Sequence, residues 1–323
     1  MGAGIIECDV TFTKDLELVC RHSQCDLHTT TNVVTIPELN AKCTTPWSHG
    51  VEPTCCTSDF TLEEIKMLCA KMDSSNDVNA PGPNGYAFGG TPSWRTDLYQ
   101  YGCPRVHTHK ESIEIISSMG RKFTPELKQP IVPMPFNGFT QSDFAQKLVD
   151  EYKSYGVSPN DIWIQSAVPE DIAYLVANTE YGGQATLLDF EDYRPRSEDR
   201  AWLINATALG AQYVSPPMWK LVEPNTGGGE FDMQASQMAK DCQDLGLKVV
   251  TWTLERTPPP LGGYENDPQY YWETLQGQGL GLTEGSRFDL LHVLATEVGI
   301  VGIFSDWAAD VTFYANCMGL MLQ

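Results

Sequence analysis

The stretch IIECDVTFTKDLELVCRH, residues 5–22, decides how the rest of the chain is read. It is an apolar, β-branched run interrupted by two acids. Side chains alternate faces along a strand, so Glu7 and Asp9 point one way while Ile6, Cys8 and Val10 point the other. Two carboxylates are thereby aimed at one spot. Thr13-Lys14-Asp15 supplies a turn, and a second strand then returns to His22. The expected unit is a hairpin with paired acids on its first strand and a histidine at the end of its second.

Beyond this hairpin the region 26–106 is rich in Cys, Pro, Gly, Thr and Asn and contains NAPGPNGYAFGGTPSW (79–94). It reads as an insertion, with one helix expected over FTLEEIKMLCAKMD (60–73), where Thr61 caps and Glu64 completes a capping box. From residue 107 the texture changes to alternating helix and strand. Helix ESIEIISSMG, capped by Thr108 with Glu111 at the box position, leads to strand RKFTPELK, and SDFAQKLVDEYKSYG leads to IWIQS. PEDIAYLVANTE leads to ATLLDF, SEDRAWLINATALG to AQYVSPP, FDMQASQMAKDCQDLG to KVVTWTL, and RFDLLHVLATEVG to GIFSD, with a last helix near WAADVTFYANCMG. Such alternation implies a parallel sheet with helices outside. Strands around Ile6, Leu127, Ile164, Leu188, Val214, Val250 and Phe304 make seven. No GxGxxG turn or P-loop favours a doubly wound sheet. The expected fold is therefore α/β, a (β/α)₈ barrel in one domain spanning 1–323, with the first strand and helix missing and a large insertion after strand two.

With 323 residues, 41% of them hydrophobic, the chain can bury a large core. Its 42 acidic and 21 basic residues give a net charge of −21, which repels nucleic-acid backbones and anionic lipid surfaces. No run of about 18 apolar residues and no charged leader with an apolar stretch is present before the first strand. Of ten cysteines, Cys20, Cys25, Cys43, Cys55, Cys56 and Cys69 crowd one fifth of the chain. Their number and loop-rich setting point to disulfides and an oxidising, secreted location, whereas Cys8 on its strand reads as a buried thiol. Zinc is the competing reading, disfavoured because no CxxC pair occurs. Asn205-Ala206-Thr207 is a glycosylation sequon consistent with secretion.

These motifs resemble the glycerophosphodiester phosphodiesterase family. In that family a Glu-x-Asp pair on the second barrel strand is followed by a short hairpin ending in histidine, then an insertion, then a Glu-x-Lys on strand three, matching Glu126 and Lys128 here. Gln165-Ser166, Trp252-Thr253 and the Gly302-to-Asp306 stretch match later landmarks, so the resemblance runs through nearly the whole chain. Departures are Leu16 where the family usually has Gly, Ser23 where Asp is common, and Pro125 where an apolar residue is usual. Family members also begin with a strand ending in His-Arg-Gly, which supplies half of a catalytic histidine pair. Met1-Gly2-Ala3-Gly4 falls where the family's first helix gives way to strand two, so the reading expects that segment upstream of Met1, and a chain starting at Met1 to hydrolyse glycerophosphocholine at a negligible rate and to be aggregation-prone.

Glu7, Asp9 and Glu126 are three hard oxygen ligands at neighbouring strands, a set suited to Mg²⁺ or Ca²⁺; the alternative is an exposed strand face. His22 reads as a general acid or base, since imidazole exchanges protons near neutral pH. Lys128 reads as a phosphate-facing charge, or as a structural ion pair. Trp252 reads as a wall for the substrate or as packing. The aromatic run QYYWETL (269–275) after PPPLGGYENDP (258–268) lies between strands seven and eight, as a pocket lining or a rim cover. His107 and His109 form an HxH, read as solvated loop histidines rather than a metal pair, and His28, His49 and His292 have no partner pattern. The resemblance implies metal-dependent hydrolysis of a small-molecule glycerophosphodiester to an alcohol and glycerol 3-phosphate. The competing readings are a catalytically inactive truncated chain or pseudoenzyme of the same family, and a phospholipase D-like lipid phosphodiesterase.

Overall fold

The computed structural model describes residues 2–91, 102–190, 194–228, 232–255, 270–280, 283 and 285–320. The proline-rich loop 258–268 and the start of the aromatic run at Gln269, together with the end of the insertion motif at 92–94, lie outside the described residues. The chain packs as two compact units, one of residues 6–162 and one of residues 1–5 with 163–323.

In the first of these, β1 (Ile5–Phe12) and β2 (Leu18–Cys20) form the expected antiparallel hairpin, in the register Val10 to Cys20, Thr11 to Val19 and Phe12 to Leu18. The Thr13 hydroxyl donates to Asp15 Oδ1 at 2.6 Å and accepts from the Glu17 amide at 3.0 Å, closing the turn. Leu16 takes φ +66°, the left-handed conformation that glycine adopts freely and leucine adopts at a cost. Strand β3 (Lys122–Leu127) lies on the other side of β1, and the Lys128 amide donates to the Val10 carbonyl at 3.1 Å. Phe12, fully buried, gathers Phe136, Phe139 and Phe144 at centroid distances of 5.3–5.5 Å. The helices His109–Ser118 and Gln141–Ser154 begin with capping boxes, Thr108 with Glu111 and Thr140 with Asp143.

The insertion has a core of its own. Leu27, Val33, Val34, Leu39, Phe60 and Ile65 are among its buried apolar residues. Three disulfides, Cys25–Cys56, Cys43–Cys55 and Cys69–Cys103, tie its irregular segments together. Two sequence expectations fail here. The helix expected over 60–73 keeps its Thr61–Glu64 capping box but runs only Leu62–Ile65, because Cys69 is drawn into its disulfide and Ala70 bridges to Thr31. Cys8 is no free thiol, since it is bonded to Cys20 across the hairpin.

In the second unit β4 (Gln165–Ser166), β5 (Thr186–Leu188), β6 (Tyr213–Ser215), β9 (Lys248–Thr251) and β10 (Gly302–Ile303) lie side by side in the order β10-β9-β6-β5-β4, with parallel pairing. Helices Pro169–Asn178, Asp199–Ala208, Gln237–Asp244 and Ser286–Val293 fall between successive strands. All seven strands read from the sequence are thus present as β1, β3, β4, β5, β6, β9 and β10. One helix start is corrected: Met233–Ala235, expected as helix, forms β8 and pairs antiparallel with β7 (Val222–Pro224), so the helix begins at Gln237. Asn205 of the sequon is exposed near the end of its helix. Among the described residues no helix is long and apolar enough to cross a membrane.

Candidate active site

Alternation along β1 and β3 puts Glu7, Asp9 and Thr11 on one face of the first strand and Thr124, Glu126 and Lys128 on one face of the second. Carboxylate oxygens of Glu7, Asp9 and Glu126 all lie within 4.8 Å of one another. Lys128 Nζ stands 2.9 Å from Glu126 Oε1 and 3.6 Å from Asp9 Oδ1. Glu7 is exposed, Asp9 half-buried and Glu126 buried, so the set opens outward from a dry floor.

Three carboxylates against one ammonium leave an excess of negative charge, and the structure carries its marks. Burial first, and the neighbouring Asp9 second, push the Glu126 carboxyl up to about 8 in spite of Lys128. Burial works against the Lys128 ammonium, but Asp9 and Glu126 more than offset it and hold its pKa above the ordinary lysine value. Among the described residues Asp9 Oδ1 and Thr11 Oγ1 are buried with no hydrogen-bond partner. Buried oxygens of this kind require a partner, and Thr11 is a member of this face that sequence reading passed over although its spacing from Asp9 signalled it.

His22 follows directly. The Arg21 amide donates to the Asp9 carbonyl at 2.8 Å, so the exposed His22 begins one residue beyond a backbone bond to a member of the carboxylate set. Trp252 belongs to the other unit: its Nε1 donates to the Ser215 carbonyl at 3.0 Å, and its ring meets Trp219 edge-on at 5.4 Å and Phe190 at 5.6 Å. Phe190 is the exposed ring of that cluster.

His109 corrects an expectation. It is fully buried as the first residue of its helix, with Nδ1 2.9 Å from Glu151 Oε2 and its ring against Tyr152 at 4.7 Å, while His107 is exposed. Sequence reading also missed two polar groups of the second unit. Asp189, directly after β5, meets Arg194 Nη1 at 3.0 Å and Lys220 Nζ at 3.1 Å, and Asp199 accepts from Arg194 Nε at 3.1 Å; Asp189, Asp199 and Lys220 are buried and Arg194 is half-buried. Glu255, beyond β9, accepts from the Ser305 hydroxyl at 2.6 Å and keeps Oε1 unpaired, and burial pushes its carboxyl up to about 7. Their only sequence signal was position at strand ends, which names no partner.

The model of the Glycerophosphoryl diester phosphodiesterase family matches residues 1–308, a span that includes every residue of the carboxylate set. The chain belongs to that family. A protein of Arthroderma benhamiae named "Extracellular protein" is 36% identical over 235 residues, which is 72% of this chain and 94% of its own length. A Silicibacter pomeroyi protein assigned as a glycerophosphoryl diester phosphodiesterase superposes with a TM-score of 0.62 at 15% identity, over 98% of this chain and 85% of that one. An Agrobacterium tumefaciens protein with the same assignment superposes with a TM-score of 0.58 at 12% identity, over 99% of this chain and 88% of that one. At such identities these likenesses show the fold, the α/β barrel type of the glycerophosphoryl diester phosphodiesterase family. Membership of that family makes the chain a phosphodiesterase by descent.

Proposed function

We propose that this phosphodiesterase acts on small glycerophosphodiesters, releasing an alcohol and glycerol 3-phosphate, and that it does so with Mg²⁺ or Ca²⁺ held by Glu7, Asp9 and Glu126. The observation that carries the reading is the convergence of three carboxylates, with oxygens within 4.8 Å of one another, at a face where Asp9 Oδ1 has no hydrogen-bond partner among the described residues. Oxygens bound to one such ion at roughly 2.0–2.6 Å stand no more than about 5 Å apart, so the set fits. A bound divalent ion would polarise a phosphoryl oxygen and neutralise its charge. Lys128 places an ammonium beside the same carboxylates, positioned to meet the charge that develops on the phosphoryl group. His22, exposed and tethered through Arg21 to Asp9, is the residue to move a proton at the attacking or leaving oxygen.

The net charge of −21 supports a small soluble diester rather than an anionic membrane surface or nucleic acid. Four disulfides and a relative named "Extracellular protein" support a secreted protein. The test is release of glycerol 3-phosphate from glycerophosphocholine, with and without EDTA, followed by readdition of Mg²⁺ or Ca²⁺. Cation-dependent release is the expected result. Turnover that survives EDTA overturns the metal reading, and none with any glycerophosphodiester favours the inactive-chain reading over this one.

A further inference from the structure

Cys8 sits between the two acids of β1, and Cys20 ends β2 two residues before His22. The hairpin ladder stops at Val10 and Cys20. Past that point the segment carrying Glu7 and Asp9 is joined to the segment carrying His22 by the backbone bond from Arg21 to Asp9 and by the Cys8–Cys20 disulfide. On a strand, Cys8 faces away from Glu7 and Asp9, so the disulfide fixes the backbone between them without entering their face. Glu7 is exposed. Both half-cystines line a cleft of about 260 Å³ with Ile6, Glu7 and Arg21.

We propose that the Cys8–Cys20 disulfide is a positioning element for the cation-binding carboxylates, holding Glu7 and Asp9 in register with each other and with His22. The proposal rests on the cation reading of the preceding subsection. It differs from ordinary cross-link stabilisation, and the protein contains its own control. Cys43–Cys55 closes a loop of the same sequence separation, 12, inside the same unit but within the insertion core. In the chain-entropy view equal loops contribute equally to stability. Only Cys8–Cys20 touches residues adjacent to the carboxylate set.

The experiment compares Cys8→Ala/Cys20→Ala with Cys43→Ala/Cys55→Ala. Thermal unfolding is followed by circular dichroism, and Ca²⁺ and Mg²⁺ binding by titration calorimetry at a temperature where each variant is folded. Both pairs are expected to lower the melting temperature, but only the first to weaken cation affinity, by roughly 10–100-fold, the range found when supports of metal ligands are removed. Cys8→Val/Cys20→Val, which refills the volume, serves where the alanine pair does not fold. Wild-type cation affinity in a folded Cys8/Cys20 variant overturns the proposal, as does equal weakening in both pairs. Failure of both Cys8/Cys20 variants to fold while the Cys43/Cys55 pair folds makes the bond a folding requirement instead, and also overturns it. A wild-type protein that binds neither cation strikes at the cation reading itself, which separates the two failures.

Discussion

Lys128, one residue past the end of β3, and Glu126 within it lie two residues apart on one side, and Lys128 Nζ meets Glu126 Oε1 at 2.9 Å in a nearly dry setting. Removing one partner of a buried pair leaves the other charge uncompensated, at a cost of about 3–5 kcal/mol. In EDTA, Lys128→Gln is therefore expected to lower unfolding stability by about that amount above pH 8, where the Glu126 carboxyl is ionised, and by less at neutral pH, where that carboxyl keeps its proton. A divalent cation should then raise the melting temperature of Lys128→Gln more than that of the wild type, since it meets carboxylates that have lost their counter-charge. Thermal denaturation with EDTA and with Ca²⁺ checks this. A smaller cation shift in Lys128→Gln would mean that the lysine assists cation binding.

The elevated Glu126 carboxyl gives a pH dependence of defined sign. Its folded-state pKa is raised from 4.5 to about 8, so the stability linked to its protonated form is full below pH 4.5 and lost by about pH 8. A cation ligand must shed that proton, so apparent cation affinity should climb between pH 6 and 8, by up to about tenfold per pH unit, and flatten above. Calorimetric titrations in two buffers of different ionisation enthalpy report the released proton directly. Flat affinity across that range would show a carboxylate already ionised before the cation arrives.

The carboxylate set was legible because a strand's two-residue period is visible in sequence: Glu7 with Asp9, and Glu126 with Lys128, share a face by spacing alone. The seven strands were legible for the same reason, as apolar runs separated by capped helices. What spacing does not encode is which distant residue answers which. The partner of Cys8 was missed because β2 returns it to Cys20 only once the hairpin register is known. Asp189 and Glu255 were missed because their partners, Arg194 with Lys220 and Ser305, come from later loops and helices. The helix over 60–73 was overextended because local capping chemistry was right while the Cys69–Cys103 cross-link, a tertiary constraint, ended it early. Leu16 is a local exception that the turn could have announced, as its φ of +66° meets the conformational demand that glycine usually serves.

His109 is the residue on which reading and structure differ most, and it is testable. Burial lowers its pKa in spite of Glu151, so the ring is held neutral and wild-type stability falls as pH drops below 6.5, where the unfolded histidine takes up a proton. His109→Phe keeps an aromatic ring beside Tyr152 but leaves the buried Glu151 without this partner, at a cost of roughly 1–3 kcal/mol near neutral pH. Because phenylalanine does not titrate, the gap between variant and wild type should narrow between pH 7 and pH 5. Urea denaturation at both pH values measures it. A gap that widens on acidification would place the proton on His109 in the folded state.

Glu255 supplies the last expectation. Its carboxyl keeps a proton up to about pH 7 chiefly because it is buried, with Oε2 bonded to Ser305 and Oε1 unpaired, while the unfolded chain releases that proton near 4.5. The raised folded-state pKa means that the stability of the protonated form is complete below pH 4.5, drains away between 4.5 and 7, and is absent above. Gln resembles the neutral acid at every pH, and its amide oxygen can still accept from Ser305. Glu255→Gln should therefore match the wild type at pH 4.5 and exceed it by on the order of 2 kcal/mol at pH 8, discounting a full conversion of the shift for partial solvation. Paired urea melts at the two pH values give the difference. A Glu255→Gln protein less stable than wild type at pH 8 would show that the ionised carboxylate is held by a positive partner, with Arg287 the first to test because its charge acts to lower the Glu255 pKa.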